Sequence, residues 1–212
     1  MNLEITPFVN GRWKQNCYIA ANSDGDAIVI DPGSQADDLI QLIEAKKWRI
    51  EGILNTHGHF DHIGAVAPVQ EKYQAPFYLH SADERLMQRA NLFRMVFEAK
   101  DPVKIPKMTR DIASLPRDFE IGRFKLTWMA TPGHTEGSVV FLLDTMLFAG
   151  DTLMKGKIGR TDLPGGNRER LVESVKSLMS LPGEIIVYGG HGPATTIAEE
   201  FAEGSKVRGL LQ

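Results

Sequence analysis

Thr56-His57-Gly58-His59-Phe60-Asp61-His62 packs three imidazoles and one carboxylate into six consecutive positions. The run follows an apolar stretch, Ile50 to Leu54, that reads as a buried strand. It therefore stands on a loop at a sheet edge, where a rigid scaffold presents functional groups. With one residue between them, His57 and His59 project to the same side of an extended backbone. Asp61 and His62 come after a bend and face a second point. Imidazole with carboxylate, and no required thiolate, suits zinc, iron or manganese.

A cluster on one strand end needs further ligands from other strand ends, and three segments supply them. Thr131-Pro132-Gly133-His134-Thr135 closes a strand at Ala130. Gly150-Asp151 closes Met146 to Ala149, and Gly190-His191-Gly192 closes Ile185 to Tyr188. Glycine beside each donor permits close backbone approach or positive φ. One such segment alone reads as a plain turn; several sharing metal-ligand chemistry do not. His80, at the end of the strand Phe77 to Leu79, is read as structural.

The remaining pattern predicts two runs of strands with helices between and after them. The first run holds Leu3 to Phe8, Cys17 to Ala21, and Ala27 to Ile30 ending in Asp31-Pro32-Gly33. Helices are expected over Ser34 to Lys47, His62 to Tyr73, and Ser81 to Ala99, the last with Ser81 as N-cap and Glu84 completing a capping box. Lys100 to Asp118 reads as a surface excursion. The second run holds Phe119 to Ile121, Phe124 to Ala130, Ser138 to Leu143 and Met146 to Ala149. Thr152 to Asn167 reads as glycine-rich loop, Arg168 to Ser180 and Thr195 to Phe201 as helices. Two sheets packed together with helices outside is the natural layering. The turns near Asn22 and at Asp144-Thr145 weigh against a doubly wound parallel fold. On the long helix, Phe93, Met95, Val96 and Phe97 are expected to pack in the core, with a partner-facing surface as the alternative.

At 212 residues the chain is expected to form a single domain. A net charge of −3 makes nucleic acid a poor default partner. No stretch reaches bilayer-spanning length, and Met1 to Val9 lacks the pattern of a secretory leader, so the expectation is a cytoplasmic protein. The single cysteine, Cys17, excludes an intrachain disulfide and is expected in the core.

These motifs, in this order, resemble the metallo-β-lactamase superfamily and, within it, the small glyoxalase II-like (hydroxyacylglutathione hydrolase-like) enzymes. The resemblance is carried by Ile30-Asp31-Pro32-Gly33, by Thr56 to Gly64, by Thr131 to Gly137, by Phe148 to Thr152, by Gly159-Arg160 and by Gly190 to Pro193. It implies an αββα sandwich with the metals at one edge. It implies a first metal on His57, His59 and His134, and a second on Asp61, His62 and His191, with Asp151 bridging. Zinc is the first choice for both ions; iron and manganese are the alternatives. Asp31 is either a group that orients a ligand histidine or a cap of the turn that follows it.

The implied activity is hydrolysis. Two cations about 3.5–4 Å apart hold a shared hydroxide at neutral pH, and Asp61 and Asp151 would orient it as well as ligate. An anionic thioester such as S-lactoylglutathione is the expected small-molecule substrate, with Arg160 pairing its carboxylate. Two departures bear on glutathione. The sequence ends soon after His191, without the C-terminal helical region of full-length glyoxalase II, and Asp162 stands where those enzymes carry an aromatic residue. The rivals are a persulfide dioxygenase using one iron on His57, His134 and Asp151, a lactone or β-lactam hydrolase, and a scaffold that has kept the fold without catalysis.

Overall fold

A computed structural model describes residues 3–98 and 102–211. Its backbone contacts divide into two compact units: Met1–Ser114 with Ile121–Arg123, and Leu115–Glu120 with Phe124–Gln212.

The first unit holds a six-stranded sheet in the spatial order Leu3–Asn10, Gln15–Asn22, Asp26–Ile30, Arg49–Leu54, Phe77–Leu79, Arg110–Asp111. The first three strands form an antiparallel meander, and the last three join in parallel. The parallel pairing of Asp26–Ile30 with Arg49–Leu54 is bridged by the helix Ala36–Lys46, which buries Leu39 and Ile43 one turn apart. Ile19, Val29, Ile53, Phe77 and Leu79 form the core beneath it, together with the fully buried Cys17. Burial pushes the Cys17 thiol pKa well above its usual range, and the negative charge of Asp31 adds to the effect.

The second unit holds the other sheet, in the order Thr195–Thr196, Ile186–Gly189, Met146–Gly150, Val139–Leu143, Phe124–Ala130, Asp118–Ile121. Met146–Gly150 is antiparallel to Val139–Leu143 and parallel to Ile186–Gly189. Both sheets are therefore mixed, unlike a doubly wound parallel fold. The helix Arg168–Leu178 covers this sheet with Leu171, Val175 and Leu178, and the Asn167 side chain caps it by accepting from Arg170 N–H.

Local details differ from the sequence expectation. The expected helix His62 to Tyr73 is two pieces, Phe60–Ile63 and Val66–Tyr73, separated at Gly64-Ala65. The expected long helix from Ser81 is a 3₁₀ turn, Ser81–Asp83, followed by Glu84–Gln88 and Ala90–Glu98. Ser81 is not its cap; the His80 ring accepts from Ala82 N–H at 3.2 Å. Ala99, expected to end that helix, and Lys100 and Asp101, expected to open the surface excursion, lie outside the described residues. Phe93 and Phe97 do pack against the core, whereas Met95 and Val96 are exposed. The glycine-rich loop contains a short hairpin, Leu153–Met154 with Lys157–Ile158, and a further helix, Lys206–Leu210, follows the expected last one.

Candidate metal centre

In the first unit the parallel register sets Ile30 beside Leu54, so the chain continues past both strands into neighbouring loops. One loop carries Asp31 and the other the histidines. Asp31 accepts from Thr56 N–H and from Thr56 Oγ1–H, both at 2.7 Å. The same Oδ2 receives His62 Nδ1–H at 3.1 Å. Thr56 has spent its hydroxyl proton on Asp31, so Thr56 Oγ1 accepts from His57 Nδ1–H at 3.0 Å. One carboxylate thereby fixes the tautomer of two imidazoles, leaving the lone pair on Nε2 of each. Asp31 pays for this placement with a left-handed backbone, φ 51°. Its oxygens bond Thr56 and His62, and with His57 and His62 it also forms a group of donors close enough to hold a metal ion.

The histidines themselves are buried: His57, His59 and His62 are at most 6% exposed. The His57 and His59 rings meet edge-on, 4.9 Å between centroids at 89°, and His57 and His62 lie 4.3 Å apart. His62 Nε2 faces Asp61 Oδ2 at 3.9 Å. Asn55 braces the loop by donating to His62 O at 2.8 Å. Gly33 is required here: a Cβ on it would overlap the Asp61 carbonyl oxygen.

In the second unit, His134 is placed by the helix behind it. Ser174 Oγ donates to Pro132 O at 2.7 Å, Asn167 N–H donates to Gly133 O at 2.7 Å, and any Cβ on Gly133 would collide with the Leu171 backbone. His134 Nδ1–H donates to Arg160 O at 2.8 Å, and a carbonyl can only accept, so Nε2 again carries the lone pair. Thr131 and Thr152 share a hydroxyl bond of 2.9 Å that ties this loop to Asp151. Gly190 N–H donates to Gly150 O at 2.7 Å and brings the His191 loop alongside. Asp151 Oδ2 then stands 3.6 Å from His134 Nε2 and 3.6 Å from His191 Nε2.

This donor set fits divalent metal. A neutral imidazole lone pair turned toward a carboxylate oxygen is unfavourable unless a cation is shared between them. Two N/O ligands on one tetrahedral zinc, each about 2.1 Å from it, lie roughly 3.4 Å apart. The observed 3.6 Å spacings are close to that value.

The structure thus gathers His57, His59, Asp61, His62 and Asp31 in one unit, and His134, Asp151 and His191 in the other. Arg160 is near His134 through its carbonyl, but its guanidinium is held bidentately by Asp162, at 2.7 and 2.6 Å. That hydrogen bonding draws the Asp162 carboxyl down to about 2 and raises the Arg160 guanidinium. Sequence reasoning missed Thr56 and Asn55, the supports of the histidine loop. Their signal was position: polar, hydrogen-bonding residues directly between a buried strand and a ligand run.

Mixed sheets with histidine and aspartate donors at their strand ends suit a metal-dependent enzyme. A family model for the metallo-β-lactamase superfamily matches residues 10–191, which run through both units. The chain is 37% identical over 203 residues to the probable metallo-hydrolase YqgX of Bacillus subtilis, covering 94% of this chain and 95% of that one. It is 32% identical over 211 residues to the hydroxyacylglutathione hydrolase GloC of Haemophilus influenzae, again covering 94% and 95%. Among solved structures it is similar to BLEG-1 B3 metallo-β-lactamase, with a TM-score of 0.88 and 34% identity over 93% of this chain and 96% of that one. It is also similar to TTHA1623 in a di-iron-bound form, with a TM-score of 0.83 and 35% identity over 93% and 97%. The chain belongs to the metallo-β-lactamase superfamily and has its fold. Among the described residues no helix is long and apolar enough to cross a membrane.

Proposed function

We propose that this metallo-hydrolase holds two divalent cations and cleaves an anionic thioester of the S-lactoylglutathione type. His57, His59 and His134 would hold one cation, Asp61, His62 and His191 the other, with Asp151 shared. The observation that supports a shared Asp151 is its Oδ2 standing 3.6 Å from His134 Nε2 and 3.6 Å from His191 Nε2, nitrogens this reading assigns to different cations. When bound, the ions would polarise a carbonyl and acidify water at neutral pH. The chain's own residues do the rest. Asp31 keeps the Nε2 lone pairs of His57 and His62 facing inward, and the Arg160 carbonyl does the same for His134. Asp61 and Asp151 supply carboxylate oxygens that accept a proton from, or orient, an attacking water.

The thioester is favoured by the likeness to GloC across nearly the full length of both chains. Zinc is the first choice of metal; iron is the second, favoured by the relative in a di-iron-bound form. A single domain spanning both units is the simplest reading of one family model running through them. The experiment is to load the protein separately with zinc, manganese and iron. Loss of S-lactoylglutathione is followed by absorbance, and an oxygen electrode is run on glutathione persulfide. Thioester cleavage without oxygen uptake is expected. Iron-dependent oxygen uptake with no thioester cleavage by any metal form would replace the hydrolase by a dioxygenase. Turnover of a chromogenic β-lactam in place of the thioester would move the substrate class instead.

A further inference from the structure

The peptide between His57 and His59 is held from outside the histidine motif. Gly58 N–H donates to Asp83 Oδ2 at 2.8 Å, and Asp83 is 1% exposed. A Cβ on Gly58 would stand 2.9 Å from Asp83 O and 3.1 Å from Asp83 Cβ, so only glycine lets the loop settle at this distance. Asp83 is itself fixed. It closes the 3₁₀ turn Ser81–Asp83, its N–H bonds His80 O at 3.0 Å, and the His80 ring accepts from Ala82 N–H. The turn's first residue is tied to the next strand, since Ser81 N–H donates to Asp111 Oδ1 at 3.0 Å. The carboxylate therefore sits at a defined point under the loop, not at the end of a mobile side chain.

Burying a carboxylate is costly unless its oxygens are hydrogen-bonded, and a carboxylate–amide bond is stronger than a neutral one. Here that bond is made to the single peptide that sets the spacing and the perpendicular arrangement of two imidazoles. We propose that Asp83 is a positioning residue for the His57–His59 pair. It holds their geometry for metal without touching metal or substrate. The inference rests on the reading that these two histidines hold a cation.

The test compares wild type, Asp83→Ala and Asp83→Asn. Zinc dissociation constants are measured by competition with a chromophoric chelator, kcat and KM are measured on the thioester, and the metal-free proteins are melted. Removing a group that orients ligands typically weakens metal binding ~10–100-fold. Asp83→Ala is expected to lose affinity in that range at one site and to lower kcat at unchanged KM. Asp83→Asn, which keeps an oxygen acceptor for Gly58 N–H, is expected to recover most of both. A folded Asp83→Ala with wild-type zinc affinity at both sites would overturn the proposal, whatever its melting temperature, and leave Asp83 a role in stability alone. If Asp83→Ala does not fold, Asp83→Ser takes its place, because its shorter hydroxyl falls short of Gly58, and the same two outcomes apply. Wild type that binds no zinc would overturn the metal reading itself, a failure visible before any variant is made.

Discussion

Replacing Asp31 by Asn isolates the hydrogen-bond logic of the site. Asn tolerates the left-handed backbone that Asp31 adopts at φ 51°, so the substitution adds little strain. It replaces one acceptor oxygen by a donor. If the amide nitrogen takes the Oδ2 position, it meets Thr56 O–H and His62 Nδ1–H, two donors that now lack their acceptor. If the amide turns over, it meets Thr56 N–H instead. Hydrogen bonds to a charged group contribute about 1.5–3 kcal/mol each. Losing two places the cost at about 3–6 kcal/mol, a large share of a typical domain's stability. His62 can relieve the clash by moving its proton from Nδ1 to Nε2, which blocks the nitrogen that faces Asp61. Metal affinity should then fall by ~10–100-fold. Chelator competition measures the affinity, and a thermal melt of metal-free protein measures the stability. An Asp31→Asn protein with wild-type melting and wild-type metal affinity would refute the tautomer argument.

Further outcomes follow from charge and burial. Asp162→Asn should free the Arg160 guanidinium and lower KM for an anionic thioester, while Arg160→Ala should raise KM more than it lowers kcat; steady-state kinetics on both variants decide. Because the folded Asp162 value is depressed, the pair's contribution is complete above the carboxyl's ordinary 3.8 and is lost as pH falls toward about 2, so the Arg160 restraint should persist throughout the neutral assay range. Cys17 is fully buried with a raised thiol pKa, so it should not react with a colorimetric disulfide reagent until denaturant is added; prompt reaction of native protein would contradict its place in the core.

The histidine run and the strand-end aspartate and histidines were legible in sequence because metal chemistry demands particular residue types and glycine marks where the backbone must bend. Of the supports, Asp31 was marked only through the family resemblance, and Thr56, Asn55 and Asp83 were given no role. Asp31 reaches Thr56 across 25 positions only because Ile30 and Leu54 pair in parallel, and apolar strands carry no local mark of their partner. Asp83 is hidden for the same reason, since its bond to Gly58 joins two loops of the first sheet. The break at Arg89 between Glu84–Gln88 and Ala90–Glu98 has no proline or glycine to announce it; tertiary packing overrides a continuous helical pattern there. His80, read as merely structural, is indeed structural, but as the cap of the turn that carries Asp83.

In the proposed site Asp151 serves two cations at once. Metal content per chain, measured by elemental mass spectrometry on gel-filtered wild type and Asp151→Ala after equal zinc loading, tests it most directly. Two zinc ions per wild-type chain are expected, with loss of zinc together with activity in the folded variant. Full zinc content and near-normal turnover in Asp151→Ala would contradict it.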